Sequence, residues 1–315
     1  MAKCLKPKAS KRLMSQTNKS KIVFQTIRVP FLILTPICVF LGVSIALYHQ
    51  APIAIYSLVL ALIGAMLAHI SVNTLNEYLD YKSGLDLNTV RTPFSGGSGA
   101  LPQNPSVLGV VLIVGLLSLL LTILIGVYFI IEFGMSILPI GVFGVLLVVS
   151  YTSWINKLPF LCLIAPGLGF GLFVVGTQYV LVGEYYQLTW LLVLIPFFLI
   201  NNLLLLNQYP DIDADKQSGR NHFPIAFGIK ASNFVYGLFA LTTFSLIIIY
   251  SLFGVIPKLC LVAVLPMPLS LIVLSGMIKH GKQIGIETQY LAMNVVLTLL
   301  TPLLLGLTIF YSANT

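Results

Sequence analysis

Nine apolar runs, each close to the length of a membrane-crossing helix, occupy most of this sequence. They lie at about 29–48, 52–75, 106–130, 134–153, 160–182, 188–206, 233–254, 259–277 and 290–311. A helix needs roughly 20 apolar residues to cross the hydrocarbon core of a bilayer. Only 8% of the 315 residues are charged, against about 25% in a soluble domain. Such a chain cannot cover its surface in water and needs lipid around it. Several runs contain proline (Pro30, Pro36, Pro166, Pro196, Pro266, Pro268), which neighbouring helices tolerate by satisfying the freed backbone groups. No run shows the ten-residue alternation of a membrane barrel. The expectation is an all-α, polytopic bundle of nine transmembrane helices around a central cavity, spanning 28–315 after a basic tail at 1–27.

The net charge of +8 invites a nucleic-acid reading, but the distribution of charge opposes it. Eight of the 17 basic residues fall in the first 28 positions: Lys3, Lys6, Lys8, Lys11, Arg12, Lys19, Lys21 and Arg28. With nine helices and an inner N-terminus, 16 basic residues lie inside and Lys258 alone outside. That is the positive-inside asymmetry of a membrane protein. It predicts a cytoplasmic N-terminus touching anionic lipid and no nucleic-acid partner. The charged region is too long for a cleavable signal peptide. The four cysteines (Cys4, Cys38, Cys162, Cys260) have no metal-ligand spacing.

Six of the nine acidic residues sit in two short segments. The first, Asn73 to Asp86, carries Asn76, Glu77, Asp80 and Asp86 and closes the second run. The second, Asn207 to Arg220, carries Asp211, Asp213 and Asp215 and closes the sixth. Both enter inner loops. The segments repeat each other: Asn76 precedes Asp80 by four, Asn207 precedes Asp211 by four, and both pairs are offset by the same 131 positions. Four-residue spacing puts Asn and Asp on one helix face, one turn apart. Carboxylates are costly at membrane helices, so clusters there point to function.

Two such helix ends facing each other gather oxygen ligands, which suits magnesium. That ion is usually held by a few carboxylates together with substrate phosphates. Bare carboxylates repel a diphosphate, so a bridging cation is required. Asn76, Asp80, Asp86, Asp211 and Asp215 are the candidate metal ligands, with Glu77 and Asp213 as further members. Arg28, Arg91, Lys157 and Arg220 are the candidate neutralising cations, arginine fitting phosphate oxygens bidentately. Arg28 and Lys157 also read as topology anchors. The stretch Ser95-Gly96-Gly97-Ser98-Gly99 reads equally as a phosphate cradle of backbone N–H groups or as a flexible linker. His69 and His222 are candidate acceptor contacts, although a lone histidine is more often structural.

These residues resemble the UbiA-type intramembrane prenyltransferases, a family with nine transmembrane helices and two Asp-rich motifs after helices two and six. The resemblance runs from about residue 26 to the end. It rests on Asn76, Asp80 and Asp86, on Asn207, Asp211, Asp215, Gly219 and Arg220, on Arg28-Val-Pro, and on Tyr151-Thr152 with Lys157-Leu158-Pro159. The spacing from Asp80 through Gly84 to Asp86 is similar to the branch that prenylates 1,4-dihydroxy-2-naphthoate in menaquinone synthesis. The chain departs from that branch at Glu77, at Gln208-Tyr209-Pro210 and in the Ser95–Gly99 loop, which leaves the acceptor open.

The resemblance implies Mg2+-dependent transfer of a polyprenyl group from its diphosphate to an aromatic acceptor in a bacterial or archaeal inner or plasma membrane, with the site facing the cytoplasm. Asp80, Asp86, Asp211 and Asp215 would be catalytic. Arg28, Asn73, Asn76, Arg91, Tyr151, Lys157, Asn207 and Arg220 would bind substrate. Tyr78, Tyr81, Tyr151 and Tyr209 are candidates for shielding an allylic cation. A same-fold cyclase, transfer to a glycerol phosphate or tetrapyrrole acceptor, a cation-coupled transporter and a non-enzymatic scaffold are the rival readings.

Overall fold

A computed structural model describes residues 19–314. Lys3, Lys6, Lys8, Lys11, Arg12 and Cys4 lie outside the described residues, as does most of the 1–27 tail. Residues 19–27 are helical, and no strand occurs among the described residues. In lipid, every backbone polar group must be satisfied within the chain, and a helix does this locally.

Eight helices are long and apolar enough to cross a membrane: α1 Val29–Tyr48, α2 Ile55–Lys82, α3 Pro105–Phe133, α5 Pro159–Val182, α6 Gln187–Asn207, α7 Phe223–Leu252, α8 Lys258–Gly285 and α9 Thr288–Ala313. The remaining predicted run forms the shorter apolar helix α4, Met135–Ser150. At 1.5 Å per residue, its 16 residues reach about 24 Å, short of the roughly 30 Å core. The chain leaves the helix early because residues 151–154 form a turn, stabilised by the Asn156 N–H donating to the Tyr151 carbonyl at 3.1 Å. The eighth run is also less regular than its composition suggests. Lys258–Val264 is a 3-10 helix, and a regular helix starts only at Met267, after Pro266.

Helix α1 packs against α2, α5 and α9, and α6 packs against α5, α7 and α9. One apolar core joins Leu41, Ile45, Leu192, Leu199, Phe244 and Leu305 across α1, α6, α7 and α9. A second joins Leu205, Tyr209, Tyr236, Met277 and Leu291. Helices α5 and α6 approach closely at Gly167, where a Cβ would lie 2.4 Å from the Phe197 carbonyl oxygen. The Gly167 N–H, beside the helix-breaking Pro166, donates to Asn201 Oδ1 at 2.7 Å. Small residues at such crossings let membrane helices touch.

The α2–α5 side is built differently. A cavity of about 700 Å³ runs between these helices, with α1, α6 and α9 contributing to its wall. The outer face of α3 carries exposed Ile113, Leu116, Leu120, Leu124 and Ile131, as expected where the solvent is lipid. One half of the molecule is thus packed solid and the other is hollow.

Candidate active site

The polar end of the cavity lies where α2 and α6 stop. Asn73, Asn76 and Asp80 come from the last turns of α2, Asp86 from the short helical turn Leu85–Asn88 beyond it, Asn207 from the end of α6, and Asp211, Asp215 and Arg220 from the segment after it. Arg28, at the start of α1, and Tyr151, after α4, complete this mouth. Elements far apart in sequence are therefore brought to one end of one cavity.

The first acidic segment is tied down by local bonds. Asn76 Nδ2 donates to Asp80 Oδ2 at 2.7 Å, one helical turn away, and Thr152 Oγ1 donates to Asn76 Oδ1 at 2.9 Å. Asn73 Nδ2 donates to the Ile27 carbonyl at 2.9 Å. Glu77 is fully buried. Its oxygens receive Arg28 Nε at 3.0 Å, the Ser98 N–H at 2.8 Å and the Ser98 hydroxyl at 2.7 Å. Both oxygens of Glu77 therefore have protein partners, and Glu77 does not line the cavity. Burial alone would lower the Arg28 guanidinium, but Glu77 and the neighbouring aspartates hold it above its ordinary value.

The second segment is more open. Helix α6 ends at Asn207, the chain turns through Pro210, and a short helix Ile212–Gln217 follows. Asp211 Oδ2 accepts the Gly96 N–H at 2.9 Å. Asp215 accepts Arg220 Nη1 at 3.0 Å on one oxygen and pairs with His222 Nε2 at 2.9 Å on the other. Arg220 also donates from Nη2 to Asp80, so one guanidinium bridges the two segments. Asp80 and Asp215 overcome the effect of burial and hold Arg220 above its ordinary value.

The glycine–serine loop crosses between the segments. Its Gly96 N–H meets Asp211 and its Ser98 N–H meets Glu77, so these donors serve carboxylates. Gly97 sits at φ +73, and a Cβ there would lie 2.7 Å from Asp86 Oδ1. Only glycine fits both the left-handed backbone and the aspartate packed on it.

Several oxygens at this mouth have no partner. Among the described residues, Asp86 Oδ2, Asp211 Oδ1 and Asn207 Oδ1 are buried without a hydrogen bond. Buried polar atoms are normally satisfied, so these point to a ligand-binding surface. Burial, followed by the charges of Glu77 and Asp80, pushes the Asp86 carboxyl up to about 7. Burial and Asp215 push Asp211 up to about 7, against the opposing Gly96 hydrogen bond. Both are carboxylates short of cations.

Among the described residues, no three Asp, Glu, His or Cys side chains form a closed metal cage. An open set of unpartnered oxygens on two sides of a cavity fits Mg2+, which usually retains water and substrate phosphates in its shell. Asp86, Asp211 and Asn207 offer such oxygens here; Asp80 and Asp215 would join them once Arg220 is drawn to an anion.

Not every residue singled out in the sequence reaches this mouth. Lys157 is exposed and does not line the cavity. Arg91 is exposed too; its guanidinium lies over Gly99 and donates to the Asp86 carbonyl at 3.2 Å. Asp213 points outward and pairs with Lys282 at 2.5 Å. Tyr78 and Tyr81 pack on Ile22, Leu101 and Val111, and Tyr209 is buried with its hydroxyl on Asn233. Of these four tyrosines, Tyr151 alone lines the cavity. His222 lines it through its pairing with Asp215.

The sequence did not single out the apolar lining beyond the mouth. Phe129, Phe170 and Phe173 line it, together with many aliphatic residues of α2–α5, while Phe31 and Phe94 line the cavity next to the mouth residues Arg28 and Gly96. Within this stretch His69 is a buried polar side chain, bonded through Nδ1 to Thr35 Oγ1 at 2.7 Å and edge-on to Phe170 at 5.0 Å.

A sequence model described as the UbiA prenyltransferase family matches residues 35–296. No curated protein sequence matches the chain. Three solved structures share its fold at low identity. A UbiA homolog from Aeropyrum pernix K1 in its apo form is 16% identical with a TM-score of 0.67, covering 90% of this chain and 98% of that one. A UbiA homolog from Archaeoglobus fulgidus bound to GPP and Mg2+ is 14% identical with a TM-score of 0.65, covering 92% and 99%. A structure described for digeranylgeranylglyceryl phosphate synthase is 16% identical with a TM-score of 0.66, covering 93% and 99%.

Proposed function

We propose, on the premise that this integral membrane chain belongs to the UbiA prenyltransferase family, that it transfers a polyprenyl group from its diphosphate to an aromatic acceptor, with Mg2+ as cofactor. The observation that carries this reading is the two-part cavity: acidic, Arg-bearing and partly unsatisfied at one end, apolar along the rest. A polyprenyl diphosphate has the same division. The Archaeoglobus fulgidus homolog of the same fold holds GPP and Mg2+, which supports the donor and the cofactor.

When bound, Mg2+ would neutralise the diphosphate and the charge developing on it as it leaves. Asp86, Asp211 and Asn207, with Asp80 and Asp215, would hold it. Arg220 and Arg28 already stand at the mouth and add positive charge next to the leaving group. Arg220 can exchange its two carboxylates for phosphate oxygens, which a guanidinium fits bidentately. Breaking the carbon–oxygen bond leaves an allylic cation on the prenyl chain. The acceptor carbon attacks it, and the acceptor then loses a proton. The apolar walls of α2–α5 keep water from quenching the cation, and Phe170 and Phe173 offer aromatic faces to it.

For the acceptor, the lining favours a flat, hydroxyl-bearing ring. His69 and Phe170 sit together in the apolar part, below the carboxylates. The cations lining the cavity, Arg28 and Arg220, are already paired with Glu77, Asp80 and Asp215. A glycerol phosphate acceptor, as the name of one structural neighbour suggests, would bring a second anion to this surplus of acids. The Asp80–Gly84–Asp86 pattern resembles the branch that prenylates 1,4-dihydroxy-2-naphthoate, and that resemblance is the ground for proposing this acceptor. The charge asymmetry of the loops supports a mouth facing the cytoplasm. A transporter is disfavoured because the acids lie at one membrane face, whereas transporter sites sit near the midplane.

The test is a membrane assay with geranylgeranyl diphosphate or longer donors, Mg2+ and a panel of acceptors, reading prenylated product and released diphosphate. The expected result is product with a dihydroxynaphthoate-type acceptor and none in EDTA. Product with glycerol phosphates alone would replace the aromatic reading. Diphosphate release with a cyclised hydrocarbon and no acceptor would replace transfer by cyclisation.

A further inference from the structure

A second cleft, of about 500 Å³, opens behind the short helix Ile212–Gln217, on the same end of the bundle as the acidic mouth. Three lysines converge on it from three elements: Lys216 from the short helix, Lys230 from α7 and Lys282 from the end of α8. One acid lines the cleft, Asp213, and it is taken by Lys282 at 2.5 Å. Lys216 and Lys230 are exposed and, among the described residues, have no ion-pair partner. Positive-inside topology calls for lysines somewhere in these loops, but not for three of them around one hollow.

The remaining lining is apolar. Gly228 interrupts α7 with φ 79 and ψ 171, so the backbone itself forms part of the cleft wall. Phe227, also lining it, is 47% exposed and stacks with Phe160 at 5.2 Å and Phe223 at 4.8 Å. The cleft lies where α7 begins and α8 ends, so this exposed apolar rim sits at the interfacial end of two membrane-length helices. Cationic, interfacial and apolar-rimmed surfaces together describe a lipid headgroup site; basic pockets between membrane helices take anionic headgroups.

We propose that this cleft binds the phosphate group of an anionic phospholipid, with Lys216 and Lys230 as its principal contacts and Phe227 against the acyl chain. The bound headgroup would tie α7 and α8 to the helix whose other side carries Asp215. The inference stands independently of the prenyl-transfer reading.

The test titrates the full-length, detergent-solubilised protein with short-chain phosphatidylglycerol and follows the thermal unfolding midpoint, with phosphatidylcholine and inorganic phosphate in parallel. The expected result is a saturable upward shift with phosphatidylglycerol alone. In K216Q/K230Q the concentration giving half the shift rises about fivefold for each lysine removed. K258Q and K279Q, outside the cleft, keep the wild-type response. A wild-type midpoint in phosphatidylcholine shows that the double variant is folded, and K230Q alone carries the test if it is not. An equal shift with phosphatidylcholine or with inorganic phosphate overturns the assignment. So does a phosphatidylglycerol response unchanged by the lysine substitutions.

Discussion

The two acidic segments share the spacing Asn-x-x-x-Asp, yet the fold uses them differently. In the first, Asn76 and Asp80 lie on an unbroken helix and bond to each other, while Glu77 is clamped by Arg28 and Ser98. In the second, the helix stops at Asn207, and Asn207 and Asp211 each keep an oxygen with no partner. Each segment also depends on the other's surroundings: Gly96 follows the first and caps Asp211, and Arg220 follows the second and holds Asp80. The difference teaches that a sequence repeat need not be a functional duplicate. The first segment is a framework with ligands on its edge, and the second is a ligand surface held in place by that framework.

This division predicts that the two segments fail differently. Asp211→Asn should lower product formation by about 10³-fold, the scale of losing charge stabilisation at a leaving group, without lowering the unfolding midpoint. Glu77→Gln, at a side chain outside the cavity lining, should do the reverse in the first instance. Removing one partner of a buried ion pair costs about 3–5 kcal/mol, read as a lowered midpoint in detergent. A stability loss at Asp211 larger than at Glu77 would break the distinction.

Gly97→Ala should come next in size. Its Cβ would press on Asp86 Oδ1 and displace that carboxylate, and misplacing a reacting group by about 1 Å is worth up to 10²-fold in rate. The expected pattern is a loss of activity recovered in part by raised Mg2+.

The pH dependence is smaller. Asp86 and Asp211 are both pushed up to about 7 from an ordinary 3.8, so the folded state disfavours their charged forms. Their contribution to stability is most favourable below about 4 and is lost as pH rises towards 7. Binding a cation requires the ionised forms, so apparent Mg2+ affinity should be full above about 7 and weaken as pH falls below it. In metal-free buffer the midpoint should therefore decline between about pH 4 and 7, and added Mg2+ should raise it most at the upper end. The smallest effect belongs to Lys157→Ala, which should leave activity within about twofold because that side chain lies outside the cavity on the exposed surface.

Much of this plan was legible in the sequence because charge is rare in it. Against long apolar runs, Asp80, Asp86, Asp211 and Asp215 stand out by type alone, and all four line the cavity. The bundle was legible from run length, apart from α4, whose run ends in a turn that composition does not announce. Direction was not legible. Asp213 differs from Asp211 and Asp215 only in the helix face it occupies, and it points to Lys282. Lys157 and Arg91 carry the right charge but stay on the outside. The pairing of Glu77 with Ser98 joins a helix to a loop 21 residues later, a contact no periodicity encodes. The lining phenylalanines were hidden for the opposite reason: among 19 phenylalanines, nothing local separates a cavity wall from a lipid-facing or packed ring.

The central claim is that Asp80 and Asp211, offset by 131 positions, belong to one site. The most direct measurement is a double-mutant cycle on Mg2+-dependent diphosphate release, using Asp80→Ala, Asp211→Ala and the double variant. Residues of one network couple by about 0.5–3 kcal/mol, whereas independent sites add to within about 0.5 kcal/mol. A shared site predicts that the second substitution does little further harm after the first. Two losses that simply add would contradict it.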